Sequence, residues 1–204
     1  MKVTAIKQQV KRTGRYSIFI DDKYSFSLSA DALLDSHIVI GLELSQNQIG
    51  DYKRLSDDDK MYANVLNYLA IRPRSEWEIA TYLKRKQASP TLAESILSKL
   101  SVKQLIDDRK FAEAFVRDHR LLKPTSRRKL TLELRQKHVK DSVIQAVVGN
   151  ESDDEQTALK EIIIRKRRQT RYQDDLKLMQ YLARQGFNYS DIKSALDDNV
   201  ELDD

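Results

Sequence analysis

Cysteine is absent from the 204-residue chain. That excludes disulfides, thiolate metal centres and a cysteine nucleophile, and it fits a reducing compartment. Glycine occurs five times and proline three times, so a loop-rich sandwich is disfavoured and long helices are favoured. Five scattered glycines form no phosphate-binding loop. No apolar run approaches the ~18 residues of a membrane span, and the N-terminus lacks the apolar core of a signal peptide. A cytoplasmic protein with no membrane partner is expected. Histidine stands only at His37, His119 and His138, none framed with a serine and an acid as nucleophilic catalysis requires. No catalytic, metal or cofactor residue is therefore assigned, and an enzyme is not expected.

Charge is abundant. Lysine and arginine number 36 against 31 acids, a net charge of +5 that hides segregation. Asp197 to Asp204 holds five acids and no base, whereas Lys123–Lys140 and Lys160–Arg171 are strongly basic. Such density suits a polyanionic partner, nucleic acid or an acidic protein surface, or else a solvated helical face. The first basic stretch contains no aromatic residue, so base stacking on a single strand finds no support there. The triplet Asp57-Asp58-Asp59 follows Ser56 and reads as the first turn of a helix, where carboxylates favour the dipole, rather than as a metal site. Asp107-Asp108 reads the same way. Trp77, two residues past Ser75, reads as a buried anchor.

The pattern changes along the chain. Val3, Ala5, Tyr16, Ile18, Ile20, Tyr24, Phe26 and Leu28 alternate in the strand manner, with Gly14 and Asp21-Asp22 at the turns. A three-stranded antiparallel meander is predicted, covered by a helix from Asp31 and another from about Ser45, where Ser45 and Gln48 form a capping box. From Ser56 the period is helical, with further capping boxes at Ser75/Glu78 and Ser152/Glu155 and a Ser89-Pro90 helix start. About nine helices are expected between Ser56 and Asp198.

The helical part repeats. Shifts of 51 and then 48 residues carry Ser75 onto Ser126 and Asp174, all N-cap types, and Ile79 onto Leu130 and Leu178. Leu83 falls on Leu134 and Leu182; Ala93, Ile96 and Leu97 fall on Ile144, Val147, Val148 and then Ile192, Ala195, Leu196. Three copies of a three-helix unit are predicted, sharing apolar surface in an elongated, curved body suited to a large partner. The divisions expected are 1–55, a β-meander with short helices; 56–106, 107–150 and 151–204, three repeats, the last with an acidic tail.

Several strings then carry a resemblance. Arg72-Pro-Arg-Ser-Glu-Trp-Glu-Ile-Ala-Thr-Tyr-Leu-Lys-Arg-Lys86, Ile106-Asp-Asp-Arg-Lys-Phe-Ala-Glu-Ala-Phe-Val116, Ser126-Arg-Arg-Lys-Leu-Thr-Leu-Glu-Leu-Arg-Gln-Lys137 and Tyr181-Leu-Ala-Arg-Gln-Gly-Phe187 occur in order. They resemble the repeat motifs of the RecX family of recombination regulators over about residues 60–198. Two departures are evident: Gln104-Leu105 stands where the family has a glycine-tyrosine pair, and His138 where it has a glycine that would supply a left-handed helix end. The resemblance implies tandem three-helix repeats and a monomer. It also implies binding to the RecA filament on single-stranded DNA, with inhibition of its ATPase, strand exchange and co-protease activities in recombination and the SOS response. Single-stranded DNA itself would be a weak or indirect partner.

Leu130, Leu134 and Lys137 mark the inward stripe of the middle repeat's second helix, which places Arg127, Arg128 and Arg135 off that stripe. With Lys84, Arg85, Arg165, Lys166, Arg167 and Arg168 they are the candidate partner-binding residues. The alternative is a helical protein acting directly on nucleic acid.

Overall fold

The computed structural model describes residues 1–12, 14–122, 125–149 and 152–200, the side chains of 152–154 and 198–200 excepted. The Ser152/Glu155 cap and most of the acidic terminal run thus lie outside the described side chains. The described chain falls into two compact units, Met1–Arg72 with Leu83–Ile96, and Pro73–Tyr82 with Leu97–Asp204.

The first unit opens with the predicted antiparallel meander: β1 (Val3–Gln8), β2 (Arg15–Ile20) and β3 (Lys23–Ser29), in the order β1-β2-β3. Asp21 and Asp22 take φ of 46° and 63°, the positive values that a tight hairpin turn demands at both central residues. One sheet face buries Val3, Ile18, Ile20, Phe26 and Leu28 with Ile38, Leu44 and Ile49. α1 (Ala30–Ser36) starts on Ser29, whose hydroxyl accepts the amide of Ala32. α2 (Gln46–Ile71) starts on the predicted Ser45/Gln48 capping box.

α2 departs from the sequence reading. It runs unbroken for 26 residues through Ser56, where a new helix was expected. Asp57–Asp59 therefore lie in mid-helix and not in a first turn. Ile49, Tyr52, Ser56 and Asp59 recur three or four residues apart and share one face. The first two pack on the apolar core, Tyr52 stacking on Phe26 at 5.8 Å. The last two meet the outer edge of β3. Ser56 Oγ donates to the Ser27 carbonyl (2.7 Å) and accepts the Ser27 amide (3.4 Å). Asp59 accepts the Ser29 amide (2.8 Å) and hydroxyl (2.7 Å). Arg15 completes the network: Nη1 lies 2.9 Å from Asp59 Oδ2, while Nε and Nη2 donate to the Ser27 hydroxyl and carbonyl. Both charged side chains are at most 10% exposed. Severing a buried pair leaves one desolvated charge without its partner, which costs more than the pair contributes. Arg15→Ala should lower unfolding free energy by about 3–5 kcal/mol, and Arg15→Met with Asp59→Leu by much less. Urea titrations of the two variants check this.

The remaining helices are α3 (Glu76–Arg85), α4 (Pro90–Val102), α5 (Asp108–Leu122), α6 (Arg127–Gln136), α7 (Asp141–Val148), α8 (Ser152–Arg167), α9 (Asp175–Arg184) and α10 (Tyr189–Val200). They carry the predicted repetition: α3, α6 and α9 are equivalent second helices, and α4, α7 and α10 equivalent third helices. Ser75, Ser126 and Asp174 accept the amides of Glu78, Lys129 and Lys177. Ile79, Leu130 and Leu178, and Leu83, Leu134 and Leu182, are all buried. The sequence suggested that repeats share apolar surface. The middle and last repeats instead hold separate clusters, the first around Phe111, Leu130, Leu134 and Ile144 and the second around Leu159, Ile162, Leu178, Leu182 and Ile192.

The second helices also end alike. Gln87, His138 and Gly186 take φ of 60°, 58° and 90°, and the amides of Ala88, Val139 and Phe187 reach back to the carbonyls of Leu83, Leu134 and Leu182. This is a Schellman end. His138 thus keeps the conformation usually given to glycine, as Gln104 does with φ 54°. Only Gly186 has a second reason to be glycine, because a Cβ there would lie 2.4 Å from the Ser126 hydroxyl. Gly186→Ala should cost at least about 2 kcal/mol, strain and overlap together, whereas exposed Gln87→Gly should gain about 0.5–1 kcal/mol. Thermal melts of both variants test the asymmetry.

Candidate partner-binding surface

Within the second unit, polar contacts recur from repeat to repeat. The amide of Glu76, at the start of α3, donates to Asp108 at the start of α5 (2.9 Å). The equivalent amide of Arg127, at the start of α6, donates to Glu155 near the start of α8 (3.2 Å). Helix N-termini carry unsatisfied amides and partial positive charge, so a neighbouring carboxylate answers both needs. Asp107 caps its own helix, accepting the amides of Arg109 and Lys110. A second recurring contact joins Glu78 to Lys137 (2.9 Å) and, at the corresponding positions one repeat later, Lys129 to Gln185 (2.9 Å). Glu78 is buried, so the ammonium of Lys137 lies half-buried against it rather than on an apolar stripe.

Trp77 lies beside this contact and is not a buried anchor. It is 37% exposed, stacks on the His138 ring at 5.0 Å, and carries the Lys137 ammonium 5.9 Å from its centroid.

The nine candidate cations divide into groups. Arg127 is half-buried, and its Nη2 donates to the Gly149 carbonyl at 2.6 Å. Arg167 donates to the carbonyls of Tyr172 and Gln173 and pairs with Asp175. Lys166 sits 5.1 Å and 4.6 Å from the ring centroids of Tyr172 and Tyr181. Arg135 is exposed but pairs with Asp141 (2.8 Å); that hydrogen bond, and then the charge of Asp141, raise its pKa. Lys84, Arg85, Arg128, Arg165 and Arg168 are exposed. Arg165 and Arg168 are three residues apart at the end of α8 and the turn that follows it. The Asp174 carboxylate is held below its ordinary range, chiefly by the hydrogen bond from the Lys177 amide. Beside Arg127 a cavity lined by Arg120, Leu130, Glu155 and Glu161 balances two cations with two carboxylates. No helix among the described residues is long and apolar enough to cross a membrane.

Family models agree with this layout. Residues 1–45 match the regulatory protein RecX N-terminal domain, 62–100 the first RecX three-helix domain and 107–148 the second. The regulatory protein RecX of Bacillus subtilis (strain 168) is 30% identical over 200 residues, covering 96% of this chain and 76% of that protein. The chain belongs to the RecX family. Its namesake from Lactobacillus johnsonii is 33% identical over 153 residues, 75% of this chain, and the match spans 56% of that protein. A crystal structure of regulatory protein RecX, 29% identical, superposes with a TM-score of 0.72 over 96% of this chain and 98% of that one. RecX from Lactobacillus salivarius, 21% identical, shares the fold with a TM-score of 0.57 over 70% of this chain and 96% of that one. RecX proteins are regulatory proteins, and the three-helix repeats and β-meander described above are the RecX architecture.

The sequence could show where cations lie but not which carbonyls they meet. Arg127 and Arg128 differ by one residue and look alike in the sequence, yet one is bonded inward and the other faces solvent. Arg127→Ala should destabilise by about 1.5–3 kcal/mol, the range for a charged hydrogen bond. Arg128→Ala should change stability by under about 0.5 kcal/mol. Chemical denaturation of the two single variants separates the structural arginine from the available one.

Proposed function

We propose that this RecX protein regulates homologous recombination and the SOS response by binding the RecA filament on single-stranded DNA. It then restrains the filament's ATPase, strand-exchange and co-protease activities. The observation that carries this reading is family membership over nearly the whole chain. The exposed cations support it. Arg128 on α6, Arg165 on α8 and Arg168 just beyond it offer planar forks that pair with carboxylate or phosphate in two directions. Several modest contacts distributed over tandem repeats raise avidity without any one being strong. Contacts to neighbouring protomers would favour whichever filament state they fit, and so shift its populations. In this reading the protein acts in the cytoplasm, as a monomer and without catalysis of its own.

The alternative, direct action on DNA by a helix-turn-helix mode, finds among the described residues no helix presenting base-reading Asn, Gln and Arg in one frame. The deciding experiment is the ATPase rate of preformed RecA filaments titrated with the protein. Substoichiometric protein should lower the rate; an unchanged rate at demonstrated saturation would refute the proposal. Arg128→Glu with Arg165→Glu and Arg168→Glu should fold normally, bind filaments at least tenfold more weakly at low salt, and show a shallower salt dependence.

A further inference from the structure

The N-terminal sheet has a second face away from its apolar core, buried at the Arg15 and Ser27 end by α2. Residues whose side chains alternate away from Ile18, Ile20 and Phe26 include Ala5 and Lys7 of β1, Ser17 and Phe19 of β2, and Tyr24 of β3. Register shifts in both strand pairs place Phe19 between Ala5 on one side and Tyr24 on the other. The two rings meet edge to face, centroids 6.1 Å apart at 78°. Tyr24 is 55% exposed. Ala5 carries one methyl group and leaves its side of the Phe19 ring low. The Lys7 ammonium lies 5.2 Å from the Phe19 centroid. Past the end of β1, Lys11 and Arg12 are exposed in a loop whose backbone is pinned by Arg15 N–H to Arg12 O (3.1 Å) and Gln9 N–H to Arg15 O (2.8 Å).

We propose that this face is a stacking platform for the unpaired bases of single-stranded nucleic acid. An aromatic pair on an open sheet, set among small and polar residues, offers π-faces to any base without reading its edges. Of the residues named on this face, Ala5 is the one aliphatic side chain. Lys7 lies over Phe19, and Lys11 and Arg12 are exposed in the β1–β2 loop beyond the end of β1. Asp21 and Asp22 form the turn beside Phe19 and Tyr24, and Asp21 is already engaged by the amide of Lys2 (2.8 Å). Phosphates would follow the cations while bases rest on Tyr24 and Phe19. Arg15 plays no part, because Asp59 neutralises it.

The test uses the full chain and no recombinase, so its failure would leave the filament reading intact. Fluorescein-labelled oligothymidylate of 20 nucleotides is titrated at fixed salt against an abasic strand of equal length. The unaltered protein should bind the thymidylate strand more tightly than the abasic one. Tyr24→Ala should weaken thymidylate binding about tenfold and leave abasic binding unchanged, whereas Tyr24→Phe should preserve both. In a Trp77→Phe background, Tyr24→Trp should show indole fluorescence quenched by the thymidylate strand and not by the abasic one. Equal affinity for the two strands overturns the proposal. So does an unaltered thymidylate affinity in folded Tyr24→Ala, or an unquenched Tyr24→Trp.

Discussion

A helix cannot end in a repeat protein without an answer for its first amides, and much of the second unit follows from how that answer is given. Each second helix uses its own serine or aspartate for one amide. α3 and α6 also take a carboxylate from the first helix of the following repeat, Asp108 in one case and Glu155 in the other. The bond that completes a helix is thereby also the bond that fixes its neighbour. Glu78–Lys137 and Lys129–Gln185 repeat the device at the side of the same junctions with different chemistry, an ion pair in one and an ammonium–amide bond in the other. Geometry is kept while residue type drifts. The same holds for the left-handed helix ends at Gln87, His138 and Gly186, where glycine is demanded only once, by the proximity of Ser126.

A count of arginines overstates the cations left exposed. Helix ends and turns leave carbonyls and carboxylates that need donors, and long cationic side chains supply them. Arg127 and Arg167 serve the fold in that way, and Lys166 covers two tyrosine rings. The cations left on the outside come from the same runs of sequence, one or two positions away. Substitution at Arg128 or Arg165 can therefore leave those internal bonds intact, whereas substitution of the whole cluster cannot.

Much of this was legible in the sequence for a physical reason. Alternation in β2 and β3 and the offsets of 51 and 48 residues are local patterns imposed by burial, and burial acts on every copy. The capping residues Ser45, Ser75, Ser126 and Asp174 were equally visible, since a cap needs only its next three neighbours. What escaped were contacts between distant residues. Ser56 followed by three aspartates looks like a helix start because serine and aspartate favour that place. In fact Ser56 and Asp59 serve a strand 30 residues earlier, which no local pattern records. Trp77 was misjudged likewise: the His138 ring on which it stacks belongs to the next repeat. The Arg127 and Arg128 distinction is of the same kind.

The seal along β3 has a consequence for how the protein would fail. A strand at the border of a sheet is a template for any other chain that presents a free backbone, and proteins blunt such borders deliberately. Here the blunting is done by two side chains of α2 and is held in place by one arginine from the neighbouring strand. Loosening that one contact would do more than reduce stability: it would bare the amide and carbonyl groups of Ser27 and the amide of Ser29 while the rest of the sheet remained formed. Such a species is folded enough to persist and open enough to recruit copies of itself. Selection on this corner of the molecule would then act on solubility during synthesis as much as on the final fold.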